Sequence, residues 1–376
     1  MFTIEKVDTN NRSQVRRFVE LPHRLYGDCP QWVPMINLDA YTYLNRKKHP
    51  FHEHSDVDFF LAVRDGRDVG RIAAIENKPF NKYHNTQKAD FYFFDCENDL
   101  EAATALFDTA FAWAKTRGLN VVMGPKGMGP LDGYGILIMG HKHRNTMTML
   151  NYNYPYYQQL VEAQGFTKEV DFVSCYLPAD RFQVPERVEK ITQRVMQRGG
   201  LQMKHFKNKK ELLAWAPRIG KAYNEAFVHN WEYYPLSQRE IDFVVDNIMT
   251  LADHRLIKIV THGEDVVGFL FAFHDVSAAL QRSRGRLFPF GIIDLLLEIR
   301  HTDRVTVNGM GILPEFQGHG GNAILYSEMG HTLLGFKQFV HVEMTQVAET
   351  TEQMRADLKN LNGVEYKNHR VYRKNV

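Results

Sequence analysis

Two periodicities alternate along the chain, and the switches between them occur in the same order twice. FFLAVRDGRDVGRIAAI (59–75) and LIKIVTHGEDVVGFLFAF (256–273) each predict a strand, a tight turn and a second strand containing a glycine. Those glycines, Gly70 and Gly268, lie 268 − 70 = 198 positions apart. YYQQLVEAQGFTKEVDFVSCYL (156–177) predicts a helix stopped at Gly165 and then a strand. QMRADLKNLNGVEYKNHRVYRK (353–374) repeats that order with its stop at Gly363, and 363 − 165 is again 198. Two matches at one spacing predict a duplicated unit of roughly 190 residues. Prolines and charged residues break the pattern in LPADRFQVPER (177–187), so the halves are expected to be domains of residues 1–180 and 181–376. The mixed order of strands and helices in each points to an α/β or α+β layered fold rather than a barrel or bundle.

The second half places three glycines in four residues, Gly318, Gly320 and Gly321, between the strand-like RVTVNGMGIL (304–313) and a helical run. In that run Ile324, Leu325, Met329, Leu333 and Leu334 recur at helical spacing. A strand-to-helix turn presents free backbone N–H groups and the positive end of the helix dipole, which together suit an anion. A tight turn without a ligand uses glycine equally well. The corresponding turn of the first half, within DFYFFDCENDLEAATALFDTAFAWAKTRG (90–118), has no glycine and carries Asp95, Glu97, Asp99 and Glu101. Carboxylates there satisfy the same donors and repel a diphosphate.

Candidate chemistry is sparser. FVHVEMTQ (339–346) puts His341, Glu343 and Thr345 on one face of a strand and Val340, Val342 and Met344 on the other. A polar face on an interior strand is costly unless it lines a wet cleft. Glu343 is the first candidate for a general base and His341 the second; a structural ion pair explains Glu343 equally well. NYNYPYYQ (151–158) and HNWEYYP (229–235) supply Tyr154, Tyr156, Tyr157, Trp231 and Tyr233 as candidates for a substrate wall, with core packing as the alternative. GPKGMGPLDGYG (124–135) is an insertion long enough for a lid or binding loop but is no Walker loop. RSRGRLFPFGIIDLLLEIRHTD (282–303) carries a dense apolar run that would either close a domain interface or wall the site of a long acyl chain.

Composition removes several classes. Forty-six Lys and Arg against 44 Asp and Glu leave a net charge of +2, so no basic field toward nucleic acid is implied. Cys29, Cys96 and Cys175 are odd in number and widely spaced, as expected of reduced thiols in a cytoplasmic protein. No apolar run reaches the length of a membrane span, and FTIEKVD after Met1 is not a secretory signal. HEH (52–54) and HKH (141–143) lack carboxylate or Cys partners at a familiar metal spacing, so no metal is expected. There is no Gly-x-Ser-x-Gly elbow.

Gln317, Gly318, His319, Gly320, Gly321 and Asn322, after a strand and before a helix, resemble the acyl-CoA loop of the GCN5-related N-acetyltransferase (GNAT) superfamily. WVPMINLDAYTYLNRKKHPFHEHSDVDFFLAVRDGRDVGRIAAI, NYNYPYYQQLVEAQGF, NEAFVHNWEYYPLSQREIDF and GRLFPFGIIDLLLE extend the resemblance to a bacterial family of tandem GNAT-like acyltransferases, over almost the whole chain. The resemblance implies two tandem GNAT-like domains, each a mixed, mostly antiparallel sheet flanked by helices, the first lacking the acyl-CoA loop. It implies that pantetheine pairs with the strand at Met310, Gly311 and Ile312 and that the diphosphate lies on the amides from Gln317 to Ala323. Asn322 departs from the usual Gly or Ala, and Lys359 stands where many GNAT enzymes carry an acidic Tyr. The implied activity is transfer of an acyl group from acetyl-CoA or a longer acyl-CoA to an amine or hydroxyl of a small acceptor in the inter-domain cleft. A non-catalytic CoA-binding or interaction protein is the alternative, with a tRNA-dependent aminoacyl transferase behind it; near-neutral charge opposes the latter.

Overall fold

The computed structural model describes residues 2–147, 150–179 and 182–376. The boundary expected between residues 180 and 181 falls outside the described residues. Contacts divide the chain into two compact units. Unit 1 comprises Met1–Val173, Val276–Glu298 and Tyr366–Val376, and unit 2 comprises Ser174–Asp275 and Ile299–Glu365.

Unit 1 begins with β1 (Phe2–Lys6), α1 (Arg12–Leu25) and α2 (Asn37–Leu44). The hairpin β2 (Asp56–Arg64) and β3 (Arg67–Glu76) follows, then α3 (Lys78–His84), β4 (Lys88–Cys96), α4 (Leu100–Lys115), β5 (Val121–Gly124), β6 (Ile136–Met139) and α5 (Tyr156–Glu162). Strand β7 (Thr167–Pro178) leads into unit 2. That unit holds α6 (Glu186–Arg198), β8 (Gln202–Lys204), α7 (Lys209–Ala226), α8 (Gln238–Leu251) and the hairpin β9 (Ile257–His262) and β10 (Asp265–His274). The chain returns to unit 1 for α9 (Ser277–Ser283) and most of α10 (Gly291–His301), then completes unit 2 with β11 (Arg304–Ile312), α11 (Gly321–Phe336), β12 (His341–Ala348) and α12 (Glu352–Asn360). The last strand, β13 (Val364–Asn375), ends in unit 1, where it runs antiparallel to β5.

The strands of the two units share one local topology. In unit 1, β2, β3 and β4 are antiparallel neighbours, and β4 pairs in parallel with β5 across the crossover helix α4. In unit 2, β9, β10 and β11 repeat this, and β11 pairs in parallel with β12 across α11. Side-chain alternation explains the layers of unit 1. Val57, Phe59, Leu61 and Val63 of β2 pack with Val15 and Phe18 of α1, whereas Phe60 and Ala62 pack with Leu106 and Phe107 of α4. In unit 2, Phe269, Phe271 and Phe273 of β10 pack with Leu212, Ile219 and Ala222 of α7.

Gly70 and Gly268 have a packing reason rather than a turn reason. A Cβ on Gly70 would approach Leu106 to 2.8 Å, and one on Gly268 would approach Ile312 to 2.4 Å. Helix α11 buries Ile324, Leu325, Met329 and Leu333, but Leu334 is exposed, because 3.6 residues per turn carry it past the edge of the apolar stripe.

Two insertions depart from expectation. Residues 124–135 are mostly buried rather than a lid. Lys126 N–H donates to Phe91 O at 2.9 Å, and Asp132 accepts the Gly129 N–H at 2.9 Å and the Tyr43 hydroxyl. The segment around α9 and α10 packs on unit 1. Asn37 N–H donates to Gly285 O at 2.9 Å, and Gln281 Nε2 donates to the carbonyls of Pro30 and Trp32 at 2.9 and 2.8 Å. Its apolar side chains Phe288, Phe290, Ile293, Leu296 and Leu297 are exposed, whereas Leu295 is buried.

Candidate active site

The site is built where β11 leaves β12. Their parallel register runs from Arg304↔His341 to Val307↔Met344 and ends there. At the next residues of β11, the pairing with β10 shifts so that Asn308 and Gly309 together oppose Phe271. This is a β-bulge, and Gly309 takes φ +84° within it. The bulge bends β11 away from its parallel neighbour over Asn308–Ile312, a stretch of about 16 Å at the usual rise. Unit 1 carries the same bulge, with Phe93 and Phe94 opposing Ile72. There the opening beyond β5 is bridged by the chain itself, through the Lys126 N–H bond to Phe91 O.

The glycine loop follows directly on β11. Gln317 Nε2 donates back to Ile312 O at 3.2 Å and ties the loop to the strand end. Gly318 and Gly320 lie in the left-handed region at φ +77° and +87°. Gly320 is the N-cap of α11; no side chain caps that end and no acid stands in its first turn. The backbone N–H groups of Gly321, Asn322 and Ala323 therefore lack the capping partner that helix starts ordinarily have. The equivalent start of α4 is closed: Asp99 accepts the Ala102 N–H at 3.1 Å and, with Glu101, binds Arg64 at 2.7 and 2.8 Å. Asn322 does not obstruct the loop, because its amide turns to Asp357 on α12 at 3.1 Å. Gly320 packs on α6, where a Cβ would come within 2.6 Å of Val195.

Glu343 is buried on β12 opposite Thr306, one residue before the strands part. Thr345, the first residue beyond the pairing, is also buried, and its hydroxyl has no hydrogen-bond partner among the described residues. A buried hydroxyl ordinarily finds a hydrogen-bond partner, so Thr345 can still donate to a group brought beside it. Sequence reasoning placed Thr345 on the polar face without giving it a role; the end of the parallel register singles it out. His341 begins β12, about 13 Å along the strand from Thr345. Its Nδ1 lies 2.6 Å from the Tyr176 hydroxyl and its Nε2 3.6 Å from Asp303. Both ring nitrogens are thus engaged away from the parting of the strands.

The aromatic candidates divide between the units. Tyr154, Tyr156 and Tyr157 belong to unit 1. Tyr154 stacks on Tyr26 and Tyr156 at 5.1 and 5.6 Å, and Tyr156 donates to Cys96 O at 2.8 Å. Tyr157 is fully buried, accepts the Cys96 N–H at 2.9 Å and lies 2.7 Å from the Tyr26 hydroxyl. Burial raises the phenol of Tyr157 well above its ordinary pKa, so it stays protonated as a core hydrogen-bonding group. Trp231 and Tyr233 are half-buried in unit 2 between α7 and α8. Among the described residues no group of three or more His, Cys, Asp or Glu is placed to hold a metal, and no helix is long and apolar enough to cross a membrane.

Two units of mixed, mainly antiparallel strands with this crossover define the GNAT fold in tandem. The structure is similar over 100% of its length to a tandem GNAT protein from the clavulanic acid biosynthesis pathway, solved without AcCoA, with a TM-score of 0.58, 12% identity and 98% of that chain covered. In sequence the chain is 26% identical over 375 residues to the bacterial ceramide synthase of Caulobacter vibrioides, covering 96% of this chain and 95% of that protein. It is 24% identical over 373 residues to protein YghO of Escherichia coli, covering 97% and 94%. No described family profile matches the chain.

Proposed function

We propose that the protein is an acyl-CoA-dependent N-acyltransferase whose unit 2 holds the donor and whose acceptor is an amine on a long apolar chain. One observation carries the donor half: an uncapped helix start and two left-handed glycines follow a bulged strand that has parted from its parallel neighbour. In this reading the amides of Gly318 to Ala323 bind the diphosphate, and the freed edge of β11 at Met310, Gly311 and Ile312 pairs with pantetheine. Glu343 takes a proton from the acceptor amine, the nitrogen attacks the thioester carbon, the C–S bond breaks, and CoA leaves as a thiolate that is then protonated. The Thr345 hydroxyl lies where it can donate to the carbonyl oxygen as charge develops. The resident acid many GNAT enzymes use is replaced by Lys359, so thiolate departure relies on solvent.

The acceptor half is supported by the ceramide synthase relative, since a ceramide is the amide of a long-chain amino alcohol. The reading also places the protein in the cytoplasm, without nucleic acid or metal. Purified protein incubated with acetyl-, octanoyl- or palmitoyl-CoA and either sphinganine or octadecylamine should yield amide and free CoA thiol by mass spectrometry. CoA binding without amide from any pair would favour a non-catalytic CoA-binding protein. Absence of CoA binding would sink the donor assignment itself.

A further inference from the structure

The loop and helix from Arg282 to Arg300 present an apolar surface without a partner among the described residues. Phe288 and Phe290 are 71% and 76% exposed at the tip of the loop. Phe290, Ile293 and Leu297 continue along α10 at i, i+3 and i+7, with Leu296 beside them, while Leu295 on the opposite face is buried. Met35 and Leu38 are exposed next to the segment's anchor, where Asn37 binds Gly285. The loop is held rather than loose: Ile292 N–H donates to Leu287 O at 2.7 Å, and Gly285 packs against Met35 O.

Charge around this surface is arranged with one sign outward. The two carboxylates of the segment, Asp294 and Glu298, are both bound by Arg282, at 2.8 and 2.5 Å. Arg284, Arg286 and Arg300 are exposed around the apolar stripe, Arg286 lying 4.0 Å from Glu20. Residues 282–300 carry four arginines against two acids, a net +2. The rest of the chain then has 46 − 4 = 42 basic and 44 − 2 = 42 acidic residues, so the whole formal charge of the protein resides in this segment. Exposed phenylalanines ringed by arginines, with the acids neutralised behind them, match the interface of an anionic bilayer, where rings enter the acyl boundary and guanidinium groups meet lipid phosphates. A second copy is a poorer occupant, because a two-fold contact would set arginines against arginines.

We propose that this surface docks the protein on anionic membranes, in the plane of the interface and without spanning it. Docking would deliver an acceptor that resides in the bilayer, which extends the long-chain amine reading, but the binding needs neither CoA nor amine. The test is flotation of the full chain with vesicles of phosphatidylcholine alone or mixed with phosphatidylglycerol. Wild-type protein should float with the mixed vesicles, and less so at high salt. Phe288→Glu/Phe290→Glu should lower the partition at least about tenfold, and Arg284→Glu/Arg286→Glu should do so for anionic vesicles. Leu213→Glu, an exposed apolar position on α7, should float as the wild type. Wild-type protein that stays in the aqueous phase, pair variants that float undiminished, or an equal loss from Leu213→Glu would overturn the proposal. So would light scattering showing a dimer that Phe288→Glu/Phe290→Glu dissociates. A protein that acylates soluble amines but does not float fails only here; one that floats but does not acylate fails only as an enzyme.

Discussion

The side-chain amide of Asn322 donates to Oδ2 of Asp357 at 3.1 Å, and the Tyr326 hydroxyl reaches the same oxygen at 3.3 Å. The side chain of Asn322 is therefore turned toward α12, leaving its backbone N–H at the start of α11. Asn322→Ala should keep CoA affinity within about twofold while costing roughly 1 kcal/mol of stability for the lost hydrogen bond. Asn322→Asp should weaken CoA at least about tenfold, because it sets a carboxylate in the first turn of α11 beside a diphosphate. Calorimetric titration with CoA decides; a large loss in Asn322→Ala would make the amide a ligand group.

Within the glycine loop the substitutions separate binding from folding. Gly320 is left-handed and within 2.6 Å of Val195 for any Cβ, so Gly320→Ala should lower stability by about 1–3 kcal/mol as well as weaken CoA. His319 is exposed, and His319→Glu should leave the thermal midpoint unchanged while lowering CoA affinity at least about tenfold. Equal CoA affinity in His319→Glu and wild type would move the diphosphate away from this loop.

The hairpins around Gly70 and Gly268 and the turn at Gly318–Gly321 were legible because each is decided locally, by alternation and by glycine. The bulges at Phe93 and Asn308–Gly309 were not, since a bulge depends on the register with a neighbouring strand. Nor could the sequence show that residues 276–298 and 366–376 belong with unit 1. Their periodicity is that of any helix or strand, and Gln281 reaches Pro30 and Trp32 across a separation no local pattern encodes. Tyr157 was ambiguous for a related reason: a phenol suits a ligand wall or a core, and only its bonds to Cys96 and Tyr26 show the core arrangement.

At the parting of β11 and β12, two substitutions distinguish chemistry from architecture. Glu343→Gln should lower turnover roughly 100-fold with donor affinity held, as expected for loss of a general base. Unchanged turnover would remove Glu343 from the reaction. Thr345→Val deletes a buried hydroxyl that has no partner among the described residues, so the fold should be as stable or about 1 kcal/mol more stable. If that hydroxyl serves the thioester carbonyl, turnover should nevertheless fall about tenfold or more. A loss of stability of that size would show that the hydroxyl has a structural partner in solution.

Two buried groups of unit 1 should contribute to stability in acid in opposite directions. Burial pushes the Asp132 carboxyl up to about 6, from an ordinary 3.8, and pushes the His369 imidazole down to about 4, from 6.5. His369 is held neutral, its Nε2 donating to Asn151 O at 2.8 Å. Below pH 6.5 the unfolded chain protonates that histidine more readily than the folded one, so stability is lost as pH falls from about 6.5 to 4. For Asp132 the folded state takes the proton first, so stability is gained as pH falls from about 6 to 3.8. Each shift is on the order of 3 kcal/mol, and over this window the two largely cancel. Burial also lowers the His23, His52 and His141 imidazoles, so the wild-type profile of urea midpoints carries further losses in this window and the two contributions are read from the variants' departure from it. Asp132→Asn, which removes one arm, should lose more stability on acidification than the wild type, and His369→Gln should lose less. Parallel pH profiles for the wild type and both variants would show that neither group titrates as its burial demands.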